Sequence, residues 1–214
     1  MNRRWIGVDI THLAITVIRH RLQDTFGSQI TKQYRVIGEP TSVPDAAALA
    51  EQDRFQFQWW ALGLVGARPT PPEQKKGADK GIDGRLYFFD EPQSGKAKLI
   101  VFSVKSGHLK ATDVRDLRGV IDREKAAIGV LITLEEPTQP MRAEAAAGSY
   151  VSPFFGNERF PRLQIRTVEQ LLEGCGIDMP PHENIASIGK RAPKAKGRIV
   201  AEAILPFDEA ENEV

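Results

Sequence analysis

The chain has 214 residues, enough for one sizeable domain with some sequence to spare. A formal net charge of +1 excludes a global polycation, so any contact with nucleic acid would need local basic patches. One cysteine, Cys175, excludes an intramolecular disulfide, and His12, His20, His108 and His182 lack the spacing of a zinc site.

The chain order opens with "RRWIGVDI", which predicts a short strand ending at Asp9. It lacks the long apolar region of a secretory signal, and no apolar run elsewhere is long enough to span a membrane. The expected compartment is therefore the cytoplasm. "THLAITVIRHRLQDTF" carries Leu13, Val17, Ile18 and Leu22 at helical spacing, with Thr11 as N-cap and Gly27 and Ser28 as the stop. "QYRVIGEP" predicts a strand running into a turn at Pro40. "PDAAALAEQD" predicts a short helix, and "RFQFQWWALGLVGA" a buried helix ending near Gly66. "RPTPPEQKKGADKGIDG" reads as a loop, and "RLYFF" and "KLIVFSVK" as an antiparallel pair of strands. "TDVRDLRGVIDREKA" has an apolar stripe of Val114, Leu117, Val120 and Ile121, with Thr112 placed to cap it. "IGVLITL" has the continuous apolar pattern of a strand buried on both faces. A helix opened by prolines and closed by Gly148 follows, then a final strand and helix in "RLQIRTVEQLLEG". From residue 183 a basic stretch and an acidic end, "DEAENEV", read as a flexible charged tail. The element order predicts an α/β fold with a mixed sheet.

The most informative pairing is Asp83, in a glycine-rich turn ahead of one strand, with Lys105 at the end of the next. Hydrolysis of a phosphodiester calls for a divalent cation, an activated water and stabilisation of developing negative charge. Magnesium takes oxygen ligands, often one or two carboxylates with water and phosphate oxygens. Asp83 offers a carboxylate and the Val104 carbonyl a second oxygen. Ser103 and Lys105 share a strand face, where an ammonium would act on water and phosphate. The competing readings are Asp-Gly turn chemistry for Asp83 and a solvated strand end for Lys105. His108 reads as a residue supporting the site or contacting phosphate, or as a surface histidine; Arg115 and Arg118 read as phosphate contacts or as part of an exposed, charge-laced helix face.

The motifs "GADKGIDG", "FSVKSG", "DVRDLRGVI" and "AIGVLITLEEPT", in this order, resemble the Mrr-type restriction endonucleases of the PD-(D/E)XK superfamily over roughly residues 50 to 150. The resemblance implies a restriction-endonuclease-like mixed sheet flanked by helices. It implies catalytic Asp83, Ser103 and Lys105, with Asp83, the Val104 carbonyl and, weakly, Asp79 on Mg2+ or Mn2+. The sequence departs from the family pattern at Ser103, where Gln or Glu is usual, and at Gln56 and Gln58, where the preceding helix often carries an acid.

"RRWIGVDITHLAITVIRHRL" resembles the end of an adenine- or cytosine-specific DNA amino-methyltransferase domain. By that resemblance Asp9 would accept the ribose hydroxyls of S-adenosylmethionine, but only in a complete methyltransferase. The glycine-rich loop and the "PPY"-type motif are missing, so methyl transfer by this chain alone is not expected. Asp9 also reads as a strand-to-helix turn residue.

These readings divide the chain into a methyltransferase remnant at 1–40, a restriction-endonuclease-like domain at 41–182 and the tail at 183–214. The leading functional expectation is a magnesium-dependent DNA endonuclease of a restriction–modification system. Its partner would be double-stranded DNA, acting as a homodimer or with a methyltransferase subunit and away from membranes. The alternative is a non-catalytic DNA-binding module of a site-specific DNA methyltransferase, and a third reading is an oligomerisation domain without DNA contact.

Overall fold

The structure, a computed structural model, describes residues 5–70, 81–90 and 96–181. Helix α1 (His12–Phe26) opens it, capped by the Thr11 side chain, which accepts the Ala14 N–H. Gly27, at φ 84°, ends the helix in a backbone conformation that favours glycine. A 3-10 turn (Ser28–Gln33) leads to α2 (Val43–Gln52) and α3 (Arg54–Leu64), capped by Ser42 and Asp53.

The central sheet contains β1 (Arg68–Pro69), β2 (Gly84–Phe88), β3 (Lys98–Lys105), β4 (Ile128–Thr133) and, later in the chain, β7 (Leu163–Thr167). Helix α4 (Ala111–Arg123) connects β3 to β4, and α5 (Gln139–Ala145) follows β4. Strands β5 (Ser149–Ser152) and β6 (Glu158–Pro161) form a separate hairpin, and α6 (Val168–Leu172) follows β7. The sheet order is β1-β2-β3-β4-β7, antiparallel across β1, β2 and β3 and parallel across β3, β4 and β7. This is the mixed sheet with flanking helices expected from the element order.

Strand alternation divides the core between the two sheet faces. Ile100, Phe102 and Val104 of β3 join Ile128, Val130 and Ile132 of β4 on the face that packs against Phe57, Trp60 and Leu62 of α3. Val101 and Leu131 point the other way, onto Leu117, Val120 and Ile121 of α4. Each such fully buried large side chain contributes about 1.5–3 kcal/mol. Helix α4 lies very close to the sheet at Gly129, where an added Cβ would fall 2.4 Å from Ile121 Cδ1.

Four local expectations need correction. Residues 5–10 form no strand; Ile6, Val8 and Ile10 have the alternating pattern but no neighbouring strand among the described residues, and are 82–92% exposed. "QYRVIGEP" likewise forms no strand, since pairing depends on a partner edge and not on propensity alone. Helix α4 begins one residue before Thr112, and the Asp113 carboxylate accepts the Lys110 N–H at 2.9 Å in its first turn. The β5–β6 hairpin was absent from the predicted elements; Tyr150 and Phe160 face each other across it and pack into the core.

Candidate functional site

Strands β2 and β3 bring Asp83, Ser103, Val104 and Lys105 together at one end of the sheet. Asp83 immediately precedes β2, and its N–H donates to the Phe102 carbonyl at 2.8 Å. Its carboxylate then accepts the next amide along β3, Val104 N–H, at 2.8 Å. A side-chain oxygen thus continues the ladder where the β2 backbone has turned away. Carbonyl and N–H of one strand residue point to the same edge, so the Val104 carbonyl also faces the side where Asp83 lies.

Lys105 lies on the face shared with Ser103 and reaches α4, where its Nζ sits 3.0 Å from Asp113 Oδ1. Burial raises the Asp113 carboxyl, but the Lys110 amide and the Lys105 ammonium outweigh it and hold the group below its ordinary value. Ser103 is buried, and its side chain is neutral. Asp113 is the site neighbour that sequence reasoning missed. Its signal was the acid three residues after Lys110, at the helix start, read only as part of a charged stripe.

Of the other candidate residues Gln58 touches this cluster, and the rest lie apart from it or outside the described residues. Asp79 and His182 fall outside the described residues, as does the tail from 183. Asp9 is exposed and accepts both the Thr11 N–H, at 2.9 Å, and its hydroxyl, at 2.8 Å, which organises the entry into α1. Gln56 joins the N-terminal segment to α3, accepting from His12 N–H at 3.1 Å and donating to the Ile10 carbonyl at 3.4 Å. Gln58 donates to the Asp83 carbonyl at 3.3 Å, so both glutamines hold structure where an acid was sought. His108 meets Glu135 at 3.0 Å on the surface. Arg115 pairs with Glu144 at 3.1 Å and Arg118 donates to the Glu144 carbonyl, so these arginines tie α4 to α5.

The residues present do not fit a divalent-cation site well. Among the described residues no group of three His, Cys, Asp or Glu side chains is arranged to hold a metal. One carboxylate that already carries a strand amide, beside a buried neutral hydroxyl, supplies little of the charged oxygen set magnesium takes.

A five-stranded mixed sheet with helices on both faces, and an aspartate and lysine on adjacent strand ends, define a restriction-endonuclease-like domain. The model of the family described as NACHT-associated inactive Restriction Endonuclease 1 matches residues 66–173, half of the chain. The chain belongs to that family. No curated protein and no solved structure gives a significant match. The family is described as inactive, which overturns the expectation of a magnesium-dependent endonuclease. The physical counterpart is a site whose lysine is ion-paired and whose second acid is a serine. No helix among the described residues is long and apolar enough to cross a membrane.

Proposed function

We propose that the chain is a non-catalytic, restriction-endonuclease-like module that binds double-stranded DNA without cutting it. The observation that carries this reading is the internal use of the former chemical groups: Val104 N–H takes the Asp83 carboxylate and Asp113 takes Lys105. A lysine held in an ion pair is not poised on a water, and a single carboxylate in the β-ladder does not assemble a cation site.

Support for DNA as the partner comes from the restriction-endonuclease-like fold, from the resemblance of the sequence motifs to Mrr-type enzymes, and from local basic sequence. Lys75, Lys76 and Lys80 lie between β1 and β2, and "GKRAPKAKGR" follows residue 188. The family's description as NACHT-associated fits a recognition role within a larger assembly.

The test is retention of a labelled duplex by the purified chain across a salt series, with plasmid nicking assayed in magnesium, manganese and EDTA. The expected result is binding that weakens steeply between about 50 and 200 mM salt, with intact plasmid throughout. No retention at low salt, or retention indifferent to salt, counts against the DNA reading. Metal-dependent nicking that disappears in Lys105→Ala overturns the non-catalytic reading.

A further inference from the structure

A cavity of about 420 Å³ opens where α5, the β5–β6 hairpin and β7 meet, away from the Asp83–Lys105 cluster. Its size is that of a pocket for a small organic molecule. Three arginines line it, from three separate elements: Arg142 on α5, Arg159 on β6 and Arg166 on β7. Among the described residues no acidic side chain lines it.

The three arginines are not equivalent. Arg166 is held in place by the Gly176 carbonyl at 2.9 Å, the Gln164 side chain at 3.2 Å and Asp178 at 2.8 Å. Arg142 pairs with Glu136, an exposed residue ahead of α5. The Arg159 side chain has no hydrogen bond or ion pair among the described residues, although its backbone is part of the β5–β6 hairpin. A guanidinium presents a planar fork of donors that matches phosphate or carboxylate oxygens two at a time. The remaining wall is largely apolar, with Pro161 and Ile165 at its surface and Phe160 and Leu163 buried behind them. Apolar wall and cationic rim together suit an amphiphilic anion, an organic body carrying a compact anionic head.

The geometry points to a binding site for a small organic phosphate of nucleoside-monophosphate size, with Arg159 as its principal phosphate contact and Arg142 and Arg166 supporting the same charge. The site is separate from the sheet end used in the DNA reading and does not depend on it.

The test is isothermal titration of the full chain with adenosine 5′-monophosphate, adenosine and inorganic phosphate at matched ionic strength. Adenosine 5′-monophosphate is expected to bind at least about tenfold more tightly than either part alone, since both the phosphate and the flat body contribute. Arg159→Ala is expected to weaken it at least about tenfold without moving the melting temperature, because Arg159 is exposed and holds no other group in place. Arg123→Ala, which removes a surface charge on α4, is expected to leave the affinity unchanged. Four outcomes overturn the assignment: no binding of the monophosphate, equal binding by adenosine, equal binding by inorganic phosphate, or unaltered affinity in Arg159→Ala. Duplex retention measured on Arg159→Ala separates the two readings, because the variant is expected to keep its DNA binding.

Discussion

The end of β2 and β3 and the cavity beside β7 both gather charged side chains at the sheet, yet they dispose of that charge in opposite ways. At the first, each group resembling nuclease chemistry is answered from within the chain: Asp83 by the Val104 amide and Lys105 by Asp113. At the second, Arg142 and Arg166 have internal partners, while Arg159 has none among the described residues. The first site has the residue types of a catalyst and the bonding of a scaffold. The second has no catalytic motif and retains a donor fork for a ligand. What separates them is partner accounting, since a charged group already engaged must break that engagement before it can serve another.

The largest effect tests whether the two regions rest on one sheet. Ile132 is fully buried on β4, the strand between β3 and β7. Ile132→Ala is expected to cost about 2–5 kcal/mol in urea unfolding. The near-ultraviolet signals of Trp60 and Tyr150 are expected to disappear in a single transition, and two separate transitions would show that the regions are independently stable.

The next prediction concerns Asp83 as a structural acceptor. Asp83→Ala leaves the Val104 N–H without its partner and is expected to cost about 1–3 kcal/mol. Asp83→Asn keeps an acceptor oxygen and is expected to cost less than about 1 kcal/mol. Equal losses in chemical denaturation would mean that the charge, not the hydrogen bond, is what β2 and β3 use.

Lys105→Ala removes a partly exposed ion pair and is expected to change stability by about 0–1 kcal/mol. A larger loss in thermal unfolding would place that pair among the buried supports of α4.

The smallest effect is on acid stability. The Asp113 carboxyl sits below its ordinary value in the folded chain, as the Lys110 amide and Lys105 overcome the burial that raises it. A carboxylate lowered on folding contributes stability that is present above its unfolded value and is lost as pH falls through the folded one. Asp113→Asn is therefore expected to flatten the acid limb of a pH–stability profile below about pH 4, leaving the rest of the acid loss to other carboxylates. An unchanged limb would show that Lys105 and the Lys110 amide do not hold that proton away.

By itself the sequence determined the elements whose burial is periodic along the chain. Helix α4 shows its stripe of Val114, Leu117, Val120 and Ile121, β4 its unbroken apolar run, and β3 its continuous core strand, and all are found with those faces buried. The adjacency of Asp83 to the end of β3 was also legible, because a short connection between two strands favours antiparallel pairing. Only the tertiary structure decided what each charge meets. Residues 5–10 carry a strand pattern yet find no strand to pair with, and the β5–β6 hairpin forms because Tyr150 and Phe160 reach a core built by other elements. Asp113 is eight residues from Lys105 and Arg142 is seventeen residues from Arg159 along the chain, by the numbering alone. Their neighbours are set by how α4 and α5 lie on the sheet. Propensity and periodicity act over a few residues, whereas the bonding state of a side chain depends on groups that only folding brings within about 3 Å.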